Sequence, residues 1–294
     1  MIRPAISRAA ALAAVLTFGL VGAASAAADI SDSSNWAGYA VHRPGVRFRT
    51  VIGSWTQPQV TCTPGRATYS SVWVGIGGYD LSSPALEQIG TELDCTAAGR
   101  VVSDVWYELV PAASRTTKLA VSPGDRIRAS VAVAGNQVKL TLANLTRRRS
   151  FTKTVHATVL DTTSAEWIVE APSACSTVTD CQTLPLADFG SAAITGARAT
   201  TTSGHRGSIT DRRWSTTKIS LAESARRFAG SPADRPVLAQ PSALSADGTG
   251  FTVSYTGTTT TATARAAAAV PFRPRASSSP SGASRRPGGQ PSRR

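Results

Sequence analysis

Two glutamates stand four residues apart in the run Ala165-Glu166-Trp167-Ile168-Val169-Glu170. On a strand, that spacing points both carboxyls to one face while Trp167 and Val169 point to the other. Carboxyls set among aromatic and aliphatic neighbours are desolvated, which raises their pKa and suits them to take and return a proton. A plain solvated strand face would carry the same spacing. The same parity puts Asp104, Trp106 and Glu108 on one face of residues 103–109. Gln88, in Leu86-Glu87-Gln88-Ile89-Gly90, is by itself an ordinary surface amide. The other catalytic sets are thin. The three histidines, His42, His156 and His205, fall in a Pro/Gly turn, an apparent strand and a polar loop. There is no GxSxG elbow for a serine nucleophile. Gly75-Ile76-Gly77-Gly78 lies between strand-like runs and reads as a turn, not a phosphate loop.

The elements that must hold these groups are strands. From Arg126 to Leu142, Ile127, Ala129, Val131 and Val133 alternate with Arg128, Ser130 and Ala132; Gly135-Asn136 then turns the chain into Val138, Leu140 and Leu142. That is a period-2 hairpin with a glycine-led turn. Similar runs occur at Val51 to Trp55, Tyr69 to Ile76, Val101 to Val110, Glu166 to Glu170 and Gly250 to Tyr255. The one helix-like stretch runs from Leu221 to Gly230, and Thr200 to Thr217 reads as a surface loop or an edge hairpin. Many short strands separated by turn signals predict an all-β fold, a single-domain antiparallel β-sandwich of two packed sheets in jelly-roll or concanavalin-like style.

The 294 residues carry a formal net charge of +13, which invites a nucleic-acid reading until the charge is located. Arg3 and Arg8, the apolar stretch Ala9 to Val21 and Ala24-Ser25-Ala26 read as a signal peptide over residues 1–26 and predict a secreted protein. Residues 265–294 hold seven arginines and no acid in a Pro/Ser/Gly-rich setting and are expected to be a disordered tail. Without those nine charges, residues 27–264 keep only +4, so no nucleic-acid partner is expected. No run is long enough for a membrane span. Cys62, Cys95, Cys175 and Cys181 are even in number in an exported chain, so two disulfides are expected. Three pairings are open; the short loop CSTVTDC favours Cys175 with Cys181, leaving Cys62 with Cys95. A zinc site would compete, but no CxxC or HxxxH spacing supports it.

Five segments in order resemble the glutamic peptidases, also called eqolisins or peptidase family G1. Ser34-Asn35-Trp36-Ala37-Gly38-Tyr39 is similar to the family's SNWaG opening, and Trp73-Val74-Gly75-Ile76-Gly77-Gly78 to its WVGIDG. Gln88-Ile89-Gly90 is similar to QxG, Asp104-Val105-Trp106-Tyr107-Glu108-Leu109-Val110-Pro111 to DAWYEWYP, and Glu166-Trp167-Ile168-Val169-Glu170 to EWIVE, with Ala187-Asp188-Phe189-Gly190 following. The resemblance covers residues 33–257.

The resemblance implies a sandwich fold and a pepstatin-insensitive endopeptidase working in acid on polypeptides, as a monomer, without metal or cofactor. By motif position it implies a catalytic pair, Gln88 and Glu170, with Trp36, Trp73, Asp104 and Glu108 supporting the site or contacting substrate. An amide does not titrate, so a glutamine donor would persist at low pH. Gly77 stands where the family pattern has an acid, and Leu109 and Val110 replace Trp and Tyr. A weakened homologue and a lectin-like module binding peptide or carbohydrate are the competing expectations, and a tail that binds anionic polymers is a third. Cleavage after Ala26 would leave seven residues before Ser34, with no room for a pro-segment, so restraint is expected to come from pH.

Overall fold

The computed structural model describes residues 28–80, 82–175, 181–223 and 235–257. The expected signal peptide, the tail and most of the Leu221 to Gly230 stretch lie outside these residues. The described part of that stretch departs from the helical expectation, because Leu221 and Ala222 end a strand. Among the described residues there is no helix. Apolar side chains alternate with polar ones along most runs, a period that only an extended backbone turns to one face.

The described residues form eighteen strands, in chain order β1 (Asp29–Ser33), β2 (Trp36–His42), β3 (Phe48–Thr56), β4 (Ser71–Gly77), β5 (Leu86–Cys95), β6 (Val101–Val110), β7 (Arg115–Thr116), β8 (Arg126–Ala134) and β9 (Gln137–Asn144), then β10 (Arg149–His156), β11 (Ser164–Glu170), β12 (Ser173–Cys175), β13 (Cys181–Thr183), β14 (Ser191–Thr201), β15 (Arg206–Ser208), β16 (Ser215–Ala222), β17 (Val237–Pro241) and β18 (Phe251–Tyr255). Their hydrogen-bonded path runs β10-β9-β8-β3-β14-β18-β17-β16-β2-β11-β4-β5-β6-β7. It folds on itself so that β3, β8, β9 and β14 pack against β4, β5 and β11. The result is the expected two-layer sandwich, with the layers joined through β16 to β18. The β8–β9 hairpin turns at Gly135, whose φ of 56° is the left-handed value such a turn demands. The Thr200 to Thr217 segment holds the end of β14, its short hairpin partner β15 and the start of β16.

Parity sorts the second layer. Ala37, Tyr39 and Val41 of β2, Val72, Val74 and Ile76 of β4, Ile89 and Leu93 of β5, and Ala165, Trp167 and Val169 of β11 enter the core between the layers. Indole N–H groups are satisfied across the gap, Trp167 by the Ile52 carbonyl at 2.8 Å and Trp55 by Thr91 Oγ1 at 3.0 Å. The opposite, outer face of the same strands carries a second buried apolar cluster: Ala40, Trp73, Leu86, Trp106, Ile168 and Ile219, with Trp36, Tyr79 and Val110 packed on it. β4 is therefore buried at every position, which explains why Val72 to Ile76 carry no charged side chain, and it runs on through Gly75 to Gly77, part of the stretch that reads as a turn in the sequence. Both expected disulfides are present, Cys62–Cys95 and Cys175–Cys181.

Candidate active site

Strand register arranges the outer face in three rows. One row runs Ala40, Glu166, Gly75, Gln88, Glu108; the next Gly38, Ile168, Trp73, Gly90, Trp106; the third Trp36, Glu170, Ser71, Glu92, Asp104. Glu166 and Glu170 thus share a face, and Trp73 stands in the row between those of Gln88 and Glu170. Two glycines keep this middle ground open. A Cβ on Gly75 would lie 2.8 Å from the Trp73 ring, and one on Gly90 would lie 2.4 Å from the Val72 carbonyl.

Glu170 ends β11 with its carboxyl held by three N–H donors. Trp73 Nε1 donates to Oε2 at 2.7 Å, and Asn35 Nδ2 and Trp36 Nε1 donate to Oε1 at 3.0 and 3.3 Å. The two indoles meet edge-on, with centroids 5.0 Å apart. Ser33 sets the amide: its hydroxyl donates to Asn35 Oδ1 and accepts from the Trp36 backbone N–H, both at 3.1 Å. Burial raises the pKa of Glu170 to about 7; the three donors pull it down and the nearby Glu108 pushes it up, so desolvation wins.

Gln88 is 4% exposed, and its Nε2 donates to Glu108 Oε2 at 2.8 Å. That bond uses one of two amide hydrogens and fixes the plane of the amide, leaving the second hydrogen free for another acceptor. Burial raises the pKa of Glu108, while the hydrogen bonds from Gln88 and the Ser114 backbone oppose the shift. Glu166 is wholly buried in the row of Gln88, with a pKa far above the usual range, again through desolvation.

The expected residues do not all meet. Trp36, Trp73 and Glu170 touch one another, and Glu108 touches Gln88 and acts on Glu170. Asp104 sits opposite Glu92, where its charge acts on Glu92 and Asp94. Asn35 is a Glu170 partner that the sequence reading did not single out; its place between Ser34 and Trp36 in the first motif was the available signal. The absence of an acid at position 77 has a local reason. Gly77 has φ 85°, and a Cβ there would come within 2.5 Å of the Asp161 carbonyl.

A carboxyl raised to about 7 and an amide donor fixed on the same sheet face are the two groups needed to activate water and stabilise an oxyanion. The chain matches the model of the peptidase A4 family over residues 34–226. Among solved structures it is similar to scytalido-glutamic peptidase with a transition state analog inhibitor, at 26% identity and TM-score 0.61, covering 76% of this chain and 98% of that one. It is also similar to aspergilloglutamic peptidase from Aspergillus niger, at 29% identity and TM-score 0.51, covering 64% and 99%. SCP-B, a member of the eqolisin family in complex with the tripeptide Ala-Ile-His, shares the fold at 24% identity and TM-score 0.58, covering 76% and 98%. No curated protein matches.

Proposed function

The chain belongs to the peptidase A4 family, the glutamic peptidases, and is a hydrolase of peptide bonds; from that premise we propose that it is a secreted acid endopeptidase in which Glu170 and Gln88 perform the reaction. The observation that carries this reading is the Glu170 carboxyl, fixed by three N–H donors on the face where Gln88 is fixed by Glu108.

In the first step a water oxygen attacks the scissile carbonyl carbon while the Glu170 carboxylate takes the water proton. The carbonyl oxygen gains the negative charge, and the free Nε2 hydrogen of Gln88 donates to it. A donor of this kind is worth about 2.7 to 4 kcal/mol in the transition state. In the second step Glu170 returns the proton to the leaving nitrogen as the C–N bond breaks, giving an acid and an amine. Trp36, Trp73 and Asn35 keep the carboxyl pointing at the water, which is a positioning role.

Glu108 and Glu170 interact, so their titration belongs to the pair. The working state holds one proton between them: one carboxylate to accept a proton, one carboxyl neutral so that two charges do not face each other. The last proton leaves near the pKa of about 7 at Glu170. Above that pH both carboxylates are ionised and repel each other across the site, which supports restraint by pH and work in acid. Secretion is supported by the two disulfides, which persist in oxidising compartments. Residues 27–264 would then be the peptidase domain, preceded by the signal peptide and followed by the basic tail.

The test is hydrolysis of a denatured protein followed from roughly pH 2 up to pH 8, so that the profile spans the pKa of about 7 at Glu170. Cleavage insensitive to pepstatin and chelators, and lost in both Glu170→Ala and Gln88→Ala, is the expected result. Activity retained in either variant would overturn the assignment.

A further inference from the structure

At the end of β2 away from Trp36, three loops meet around a cavity of about 310 Å³ that the proposed reaction does not use. They are the β2–β3 loop (43–47), the β14–β15 loop (202–205) and the β15–β16 loop (209–214). The length of β2 puts the cavity roughly 20 Å from Trp36. One water takes about 30 Å³ of liquid volume, so the cavity has room for a solute.

Each loop is tied to the other two. The Thr202 backbone N–H donates to the Arg47 carbonyl at 2.9 Å, Arg43 Nη1 donates to the Arg213 carbonyl at 3.3 Å, and His205 Nε2 bonds Asp211 Oδ2 at 2.8 Å. A rim cross-linked in this way is set before a ligand arrives, so little ordering is left to oppose binding.

The charge on that rim is one-sided. The three loops carry Arg43, Arg47, Arg212 and Arg213 against a single acid, Asp211. That acid is engaged by His205 and by the Arg213 backbone N–H at 2.9 Å. Among the described residues no ion pair takes up Arg43, Arg47 or Arg213, which line the cavity without a carboxylate partner. Arg47 spends one N–H on the Val46 carbonyl at 3.1 Å. A guanidinium has five, in a planar fork that matches oxyanions and keeps its charge at every working pH. Thr202 and Ser203 add hydroxyls to the lining. Guanidiniums gathered around one space repel each other unless an anion sits between them. The donors approach from three loops, and a tetrahedral oxyanion presents oxygens in several directions where a carboxylate presents two in one plane.

We propose that this cavity is a binding site for a tetrahedral oxyanion, phosphate either free or as a sugar ester, held by Arg43, Arg47 and Arg213. The site stands whether or not Glu170 and Gln88 carry the reaction.

The experiment is calorimetric titration of the full chain at about pH 6, where phosphate esters and carboxylates are both ionised, with glucose 6-phosphate, inorganic phosphate, glucuronate and glucose. Glucose 6-phosphate should bind and glucose should not. In Arg47→Gln/Arg213→Gln the binding should weaken about tenfold or more. Arg43 is left in place because it ties two loops. Arg126→Gln/Arg128→Gln removes the same charge from exposed positions on β8 and should leave the affinity within about twofold of the parent. The seven arginines of residues 265–294 are present in every variant and cancel in the comparison. All four substituted arginines are exposed, so both variants should melt with the parent. Tighter binding of glucose 6-phosphate than of inorganic phosphate assigns the site to the ester, and equal binding assigns it to the free ion. No binding of either phosphate by the parent, equal weakening in the two double variants, or glucuronate bound as tightly as glucose 6-phosphate would overturn the site.

Discussion

The indole N–H of Trp73 donates a 2.7 Å hydrogen bond to Oε2 of Glu170 from a ring that has no exposed surface. A donor so enclosed cannot turn away, so it both aims the carboxyl and stabilises its charge. It competes with the larger effect of burial, and the outcome is a glutamate with a pKa of about 7.

Removing that donor while keeping a ring isolates its contribution. Trp73→Phe takes stabilisation from the charged form, so the pKa of Glu170 rises and the alkaline limb of kcat/KM moves to higher pH. A hydrogen bond to a charged group is worth about 1.5 to 3 kcal/mol, so the limb should move by about one unit or more. A pH profile of the variant checks this, and a limb that stays in place would show that the bond does not tune the carboxyl.

Glu108 acts with the opposite sign. Its charge raises the pKa of Glu170, so Glu108→Gln should move the alkaline limb to lower pH. The acceptor for Gln88 is kept in part by the new carbonyl oxygen. A profile moved upward, or not at all, would contradict coupling between the two glutamates.

Buried carboxyls also set how the fold responds to pH. Glu87 is wholly buried, and its pKa rises from 4.5 to about 8, chiefly through desolvation. The folded state therefore binds this proton more tightly than the unfolded chain does. Stability is greatest below about pH 4.5 and declines as pH rises towards 8. For Glu87 alone the loss is on the order of 5 kcal/mol. Glu92 and Asp94, raised for related reasons, add to it in the same direction. Thermal melts from pH 4 to 8 should show a falling Tm, and Glu87→Gln should flatten that decline. A Tm that rises over this range would refute it.

Gly77 offers a test of packing. Gly77→Asp restores the family residue but meets the Asp161 backbone and a φ of 85°. It should destabilise the fold by roughly 1 to 3 kcal/mol rather than improve it, measured by denaturant unfolding. A more stable variant would mean that Asp161 moves aside readily.

The strand pattern was legible because alternation is a local signal: the β8–β9 hairpin, its Gly135 turn and the parity of Glu166 and Glu170 all follow from period two. The pairing of Cys175 with Cys181 was legible from their separation. Contacts set by register were not. Nothing local in Asn35 says that it meets a residue 135 positions away, and nothing in Asp104 says that it faces Glu92 rather than Glu170. The end of Leu221 to Gly230 that is described misled because an apolar pair closing a strand looks the same as the first turn of a helix.

The most direct test of the central claim is kcat/KM of Glu170→Gln on a denatured protein in acid, with the melting temperature measured alongside. The substitution keeps the size of the side chain and removes its capacity to take up and return a proton. A loss of at least about a thousandfold is predicted, within the ~10²–10⁴-fold range of general acid–base catalysis and larger where the carboxyl also orients the water, in a protein that still melts cooperatively. Near-parental kcat/KM in a folded Glu170→Gln would contradict the assignment of the reaction to this carboxyl.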